Sequence, residues 1–159
     1  DRQEISWEQA MRQFHDKTGQ PGPATWENGT YPKGQERYPV CGVSWFEAAA
    51  YADFAGKNIP TAHHWSNAAS IHEAVAIIPL SNFGAQGPAP VGSNPGMGRT
   101  GLYDMAGNVK EWSSSATDDS GSRRYILGGA WGEQSYQFGN LDSRSPWDRA
   151  QVNGFRCIK

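Results

Sequence analysis

The sequence predicts one loop-rich α+β domain spanning residues 1–159, and three observations predict it. Nineteen glycines, ten prolines and seven tryptophans describe irregular segments pinned by large aromatics, not a helical bundle. Three helix signatures, each with its own cap, lie in the first half of the chain. The stretches that read as strands are short and, apart from Val40 to Trp45, fall in the second half. A chain of this length can bury a real core.

The first helix lies within Asp1 to Gly19. Ser6 is placed as its N-cap, and Trp7, Ala10, Met11 and Phe14 share one face at helical spacing. Gly19 stops it, and Pro21 and Pro23 prevent continuation. Gln20 to Pro39 reads as loop, anchored by Trp26 and Tyr31. After the extended stretch Val40 to Trp45, Ser44 and Glu47 form a capping box for a second helix, Trp45 to Ala55, which Gly56 ends. Thr61 caps a third helix through Ala69, with Trp65, Ala68 and Ala69 inward. Ile71 to Thr100 reads as irregular, and Ser113 to Arg124 as a polar loop. Tyr125 to Trp131 reads as a strand reaching a glycine kink. Asn153 to Ile158 reads as a closing strand with Phe155 inward and Arg156 on the opposite face.

Several function classes drop out on composition. Net charge −2 argues against a nucleic-acid partner, and no apolar run is long enough to insert into a membrane. Cys41 and Cys157 make one bridge or remain two thiols; their number does not decide. His63 and His64 are neighbours on a helix, pointing about 100° apart, so they do not chelate one metal together. No serine-nucleophile elbow occurs. The glycine-rich Asn94 to Gly101 lacks the lysine of a phosphate loop.

The densest chemistry lies in Gly101 to Trp112, GLYDMAGNVKEW. Gly107 and Asn108 tolerate positive φ and mark a turn that brings Asp104 and Glu111 toward one point. The carboxylates then either bond to loop amides or gather, with turn carbonyls, around a hard cation such as Ca²⁺.

This stretch resembles the signature GLYDM-x-GNV-x-EW of the formylglycine-generating enzyme superfamily. The run PVCGVSWFEAAAYADFAGKNIPTAHHWSNAAS is similar to the same family's PV-x-x-VSW…GK-x-x-PT-x-x-x-W-x-x-AA pattern, and GGAW and GFR resemble two of its later elements. The resemblance runs from about Ile5 to Cys157. It implies a C-type-lectin-like fold with a small, twisted, mostly antiparallel sheet. It also implies a structural Ca²⁺ held by the side chains of Asp104 and Glu111 and the carbonyls of Gly107 and Val109. A second calcium site of the family, matched only at Asn82, is expected to be degraded. The family's opening strands, with their F-x-MG element, are not found ahead of the first helix.

The family's reaction uses copper held by two thiolates on the loop after GG-S-W. Here that loop, Gly132 to Asn140, holds no cysteine, and Cu(I) selects sulfur. Neither copper nor formylglycine-generating activity is expected, and no catalytic residue is assigned. The expectation is a non-catalytic binding module, of the kind fused to larger bacterial proteins such as kinases or diversified as binding proteins. Its loop face would present Gln134, Tyr136, Phe138, Arg144, Trp147 and Arg149 to a protein, peptide or glycan. Two alternatives stand: an oxidoreductase with a different metal site, or a structural subunit completed by another segment.

Overall fold

The computed structural model describes residues 5–159. The start of the first helix segment, residues 1–4, lies outside the described residues. From there α1 spans Trp7–Gln13, with Ser6 and Gln9 closing a reciprocal cap. It ends well short of Gly19. Phe14 leaves helical geometry, and the Asp16 carboxylate takes the N–H groups of Thr18 and Gln20. A side-chain acceptor thus folds the backbone before the glycine is reached. α2 (Trp45–Phe54) carries the expected Ser44–Glu47 capping box, and α3 (Ala62–Ala69) is capped by Thr61. The segment after α3 is more ordered than its composition suggested. Three short helical turns follow, of which only Ala74–Ile77 is α-helical (α4), and Ile77 is buried there.

Four strands form one sheet in the order β3-β2-β1-β4. β1 (Lys110–Ala116) and β2 (Arg124–Leu127) are antiparallel, with Trp112 opposite Ile126. β3 (Asp142–Arg144) continues the antiparallel order, with Asp142 opposite Ile126. β4 (Asn153–Gly154) runs parallel to β1. Two strand expectations are corrected. The polar run Ser113–Ala116 belongs to β1, because β2 pairs with it across a bulge and Ser113 is buried. The closing strand pairs with β1 only as far as Gly154. Ile158 instead bridges to Asn58.

The sheet alternates its side chains between two cores. Leu127 joins Trp65, Ala69, Ile77, Met105 and Phe138 on the α3 side. Trp112 and Ile126 join Val43, Ala48, Ala52 and Ile59 on the α2 side. Tryptophan indoles fasten loops to this frame: Trp112 Nε1 donates to the Val43 carbonyl at 2.9 Å, and Trp45 Nε1 to that of Ser113 at 2.9 Å. Gly107 is required where the signature turn meets the loop at Asn82. A Cβ there would lie 2.4 Å from the Asn82 carbonyl oxygen, and its φ of +74° favours glycine independently.

Candidate functional site

At the signature turn, Asp104 and Glu111 both feel the charge of Arg156. Asp104 and Asn108 take left-handed backbone, at φ 55° and 62°. Asn108 holds the neighbouring loop: its Oδ1 accepts the Ala89 N–H at 2.8 Å and the Asn82 side-chain N–H at 3.2 Å. That bond also occupies the Asn82 amide. Glu111, buried at the start of β1, accepts Arg156 Nε at 2.5 Å, Arg156 Nη2 at 2.7 Å and Trp65 Nε1 at 2.7 Å. Arg156 also donates to the Tyr103 carbonyl. Asp104 Oδ2 accepts the Gly92 N–H at 2.7 Å. Burial pushes the Asp104 carboxyl above its ordinary value; the Gly92 N–H and the Arg156 charge oppose that, and the Glu111 charge adds to it. Arg156 is pulled down by burial, but the Glu111 carboxylate outweighs this and holds it above the usual guanidinium range.

Asp104, Glu111 and the Gly107 and Val109 carbonyls offer the donor type that a calcium ion takes. Among the described residues, no hydrogen bond reaches Oδ1 of Asp104, the second lone pair of Glu111 Oε1 or the carbonyls of Gly107 and Val109. Oxygen is the only element on offer, as a hard dication requires. Arg156, bonded to Glu111, already supplies part of the positive charge that the two carboxylates demand.

The six residues of the expected loop face do not share one surface. Tyr136 is 66% exposed and Gln134 is exposed, but Phe138 is 1% exposed, with its ring against Trp65. Trp147 packs between Phe14, stacked at a ring-centroid distance of 5.9 Å, and Phe46, tilted at 4.5 Å. Arg144 pairs with Asp148 at 3.0 Å and lies 3.7 Å from Asp142. Arg149 is committed inward: it forks onto both oxygens of Glu47 at 2.8 and 2.9 Å, and donates to the carbonyls of Gln13, His15 and Gly22. It therefore straps the N-terminal segment to α2. Phe138, Trp147 and Arg149 are withdrawn from the face because core and strap consume them.

Two concavities take their place. A polar pocket of about 390 Å³ opens beside the loop after the glycine pair, lined by Lys110, Glu133, Asp142 and Arg144. A far larger cleft, about 1240 Å³, lies between the N-terminal segment and α2 with the C-terminal segment. Trp7, Trp26, Tyr31, Tyr51, Trp131 and Phe155 are among its walls. Trp7 is 76% and Tyr51 55% exposed. Cys41 and Cys157 line the same cleft as free thiols, so no bridge joins them, and burial pushes both thiols up. Sequence reasoning missed this cleft, although Trp26, Tyr31 and Tyr38 set among prolines were its signal. His63 and His64 are exposed, and among the described residues no three His, Cys, Asp or Glu side chains gather as a metal-binding group.

A sheet of this order, faced by capped helices and locked by the GLYDMAGNVKEW turn, defines the formylglycine-generating-enzyme type of domain. The model of the sulfatase-modifying factor enzyme 1-like domain matches residues 1–159, and the chain belongs to that family. It is 31% identical over 153 residues to the serine/threonine-protein kinase Pkn1 of Chlamydia trachomatis serovar L2, covering 79% of this chain and 25% of that protein. It is 29% identical over 148 residues to the inactive C-alpha-formylglycine-generating enzyme 2 of Mus musculus, covering 75% and 48%. The chain thus spans a quarter to about half of these curated relatives. Among solved structures, Treponema denticola variable protein 1 superposes with a TM-score of 0.67 at 21% identity, over 84% of this chain and 76% of that one. CarF superposes at 0.64 and 20% identity, over 94% and 78%. Both likenesses bear on the fold alone.

Proposed function

We propose that this domain is a non-catalytic binding module whose ligand site is the aromatic cleft, and that it receives an extended, apolar segment of a partner protein. The cleft carries the reading. Its volume suits a peptide better than a metabolite, and among its aromatic walls Trp7 and Tyr51 are largely open to solvent. Large aromatics also dominate binding energy where they line a water-excluding pocket. The relatives support a role of this kind: one is described as a kinase of which this region is a quarter, and another as inactive. The loop that would carry copper in the family has Glu133 and Gln134 and no thiol.

In this reading calcium belongs to the scaffold. Asp104, Glu111 and the Gly107 and Val109 carbonyls would hold it, and it would fix the turn on which β1 begins.

Peptide-array binding with purified variants tests the site. Trp7→Ala combined with Tyr51→Ala lowers binding of captured apolar peptides by about tenfold or more, since both are anchors of the rim. Tyr136→Ala leaves it unchanged. Loss on Tyr136→Ala with an intact double variant would return the site to the loop face.

A further inference from the structure

The polar pocket is built around an unusual buried group. Lys110, at the start of β1, is 1% exposed. Its Nζ lies 2.5 Å from Asp142 Oδ2 and 3.2 Å from Glu133 Oε1. The second oxygen of Glu133, Oε2, is buried and has no partner among the described residues. The other oxygen of Asp142, Oδ1, accepts the Ser143 N–H at 2.7 Å. Lys110 alternates onto the same sheet face as Trp112, and Asp142 lies opposite Ile126 on that face, with β2 between the two. An amine, a carboxyl in contact with it, a second carboxyl able to move protons and an N–H on the carboxyl oxygen are the parts of an amide-forming centre.

We infer that Lys110 and Asp142 become joined by an isopeptide bond formed within the folded chain, with Glu133 as the proton carrier. Glu133 takes a proton from the Lys110 ammonium, leaving a neutral amine. That proton passes to Oδ2 of Asp142, which becomes a neutral carboxyl; Nζ then attacks Cγ, and the negative charge that develops on Oδ1 is held by the Ser143 N–H. Oδ2 then leaves as water. Of the three ammonium hydrogens, one stays on the amide nitrogen and two depart with Oδ2 by way of Glu133. One C–N bond forms, one C–O bond breaks, and nothing is oxidised or reduced. The step removes one positive and one negative charge from a site where keeping them costs desolvation. The pocket provides the exit for the water, and Arg144 keeps its partner Asp148.

The mass of the intact denatured chain decides the matter. The wild-type protein, after incubation at neutral pH, is expected to be lighter than its sequence by one water. Fragment spectra should show the β1 peptide joined to the β3 peptide. Lys110→Arg and Glu133→Gln, each checked for folding by circular dichroism, are expected at full mass. A wild-type chain at full mass overturns the proposal. So does a water loss that maps elsewhere, such as the Asp118–Asp119 loop, and a Glu133→Gln protein that still loses water removes the mechanism.

Discussion

Asp16 shows how one side chain can shape a whole wall. Its carboxylate accepts the N–H groups of Thr18, Gln20 and Gly29 and the Thr18 hydroxyl, so it folds the loop after α1 and reaches across to the next one. Burial pushes its carboxyl up, but these donors outweigh that and lower it from 3.8 to about 2. A folded-state value below the unfolded one gives stability that is complete above the unfolded value and lost as pH falls through the folded value. Urea midpoints should therefore separate wild type from Asp16→Asn fully at pH 7, and the gap should close between about pH 4 and about pH 2. Parallel pH curves would contradict this. Asp16 was not legible as a hub in the sequence, because its donors are set by turn geometry. Arg149 was misread for a related reason. Arginine among aromatics has the composition of a binding hot spot, but its acceptors, Gln13, His15 and Gly22, are more than 120 residues away along the chain.

The helices were legible because their signals are local. Ser44 with Glu47, and Thr61 before His64, specify caps from residues three apart, and both caps are present. Strand β1 was only half legible: Ser113 to Ala116 has no apolar alternation, and its pairing with β2 decides its state. The signature turn was read as the meeting of Asp104 and Glu111, but Arg156 between them was assigned only to a face. If the turn binds calcium, an ion bound only by the native state stabilises it by mass action. Chelation should then lower the melting temperature by about 5 °C, and Asp104→Ala should abolish that dependence. Asp104 is the cleaner site to change, since removing Glu111 also strands Arg156 and the Trp65 indole. Identical melting curves with and without chelator would exclude the ion.

At the scale of the molecule, the chain belongs to the family, and its loop Gly132 to Asn140 holds no cysteine. Beside that loop, Lys110, Glu133 and Asp142 form a charged cluster of nitrogen and oxygen. Purified protein supplied with copper and oxygen should leave the thiol of a cysteine-containing peptide intact, measured as the absence of aldehyde. Aldehyde formation would restore an enzymatic role. The Arg149 strap has a consequence for biosynthesis. The segment it fastens is made 127 or more residues before the arginine that fastens it. The aromatic wall of the cleft must therefore wait, unfastened, while the residues between are synthesised, and it is open to chaperones for that time.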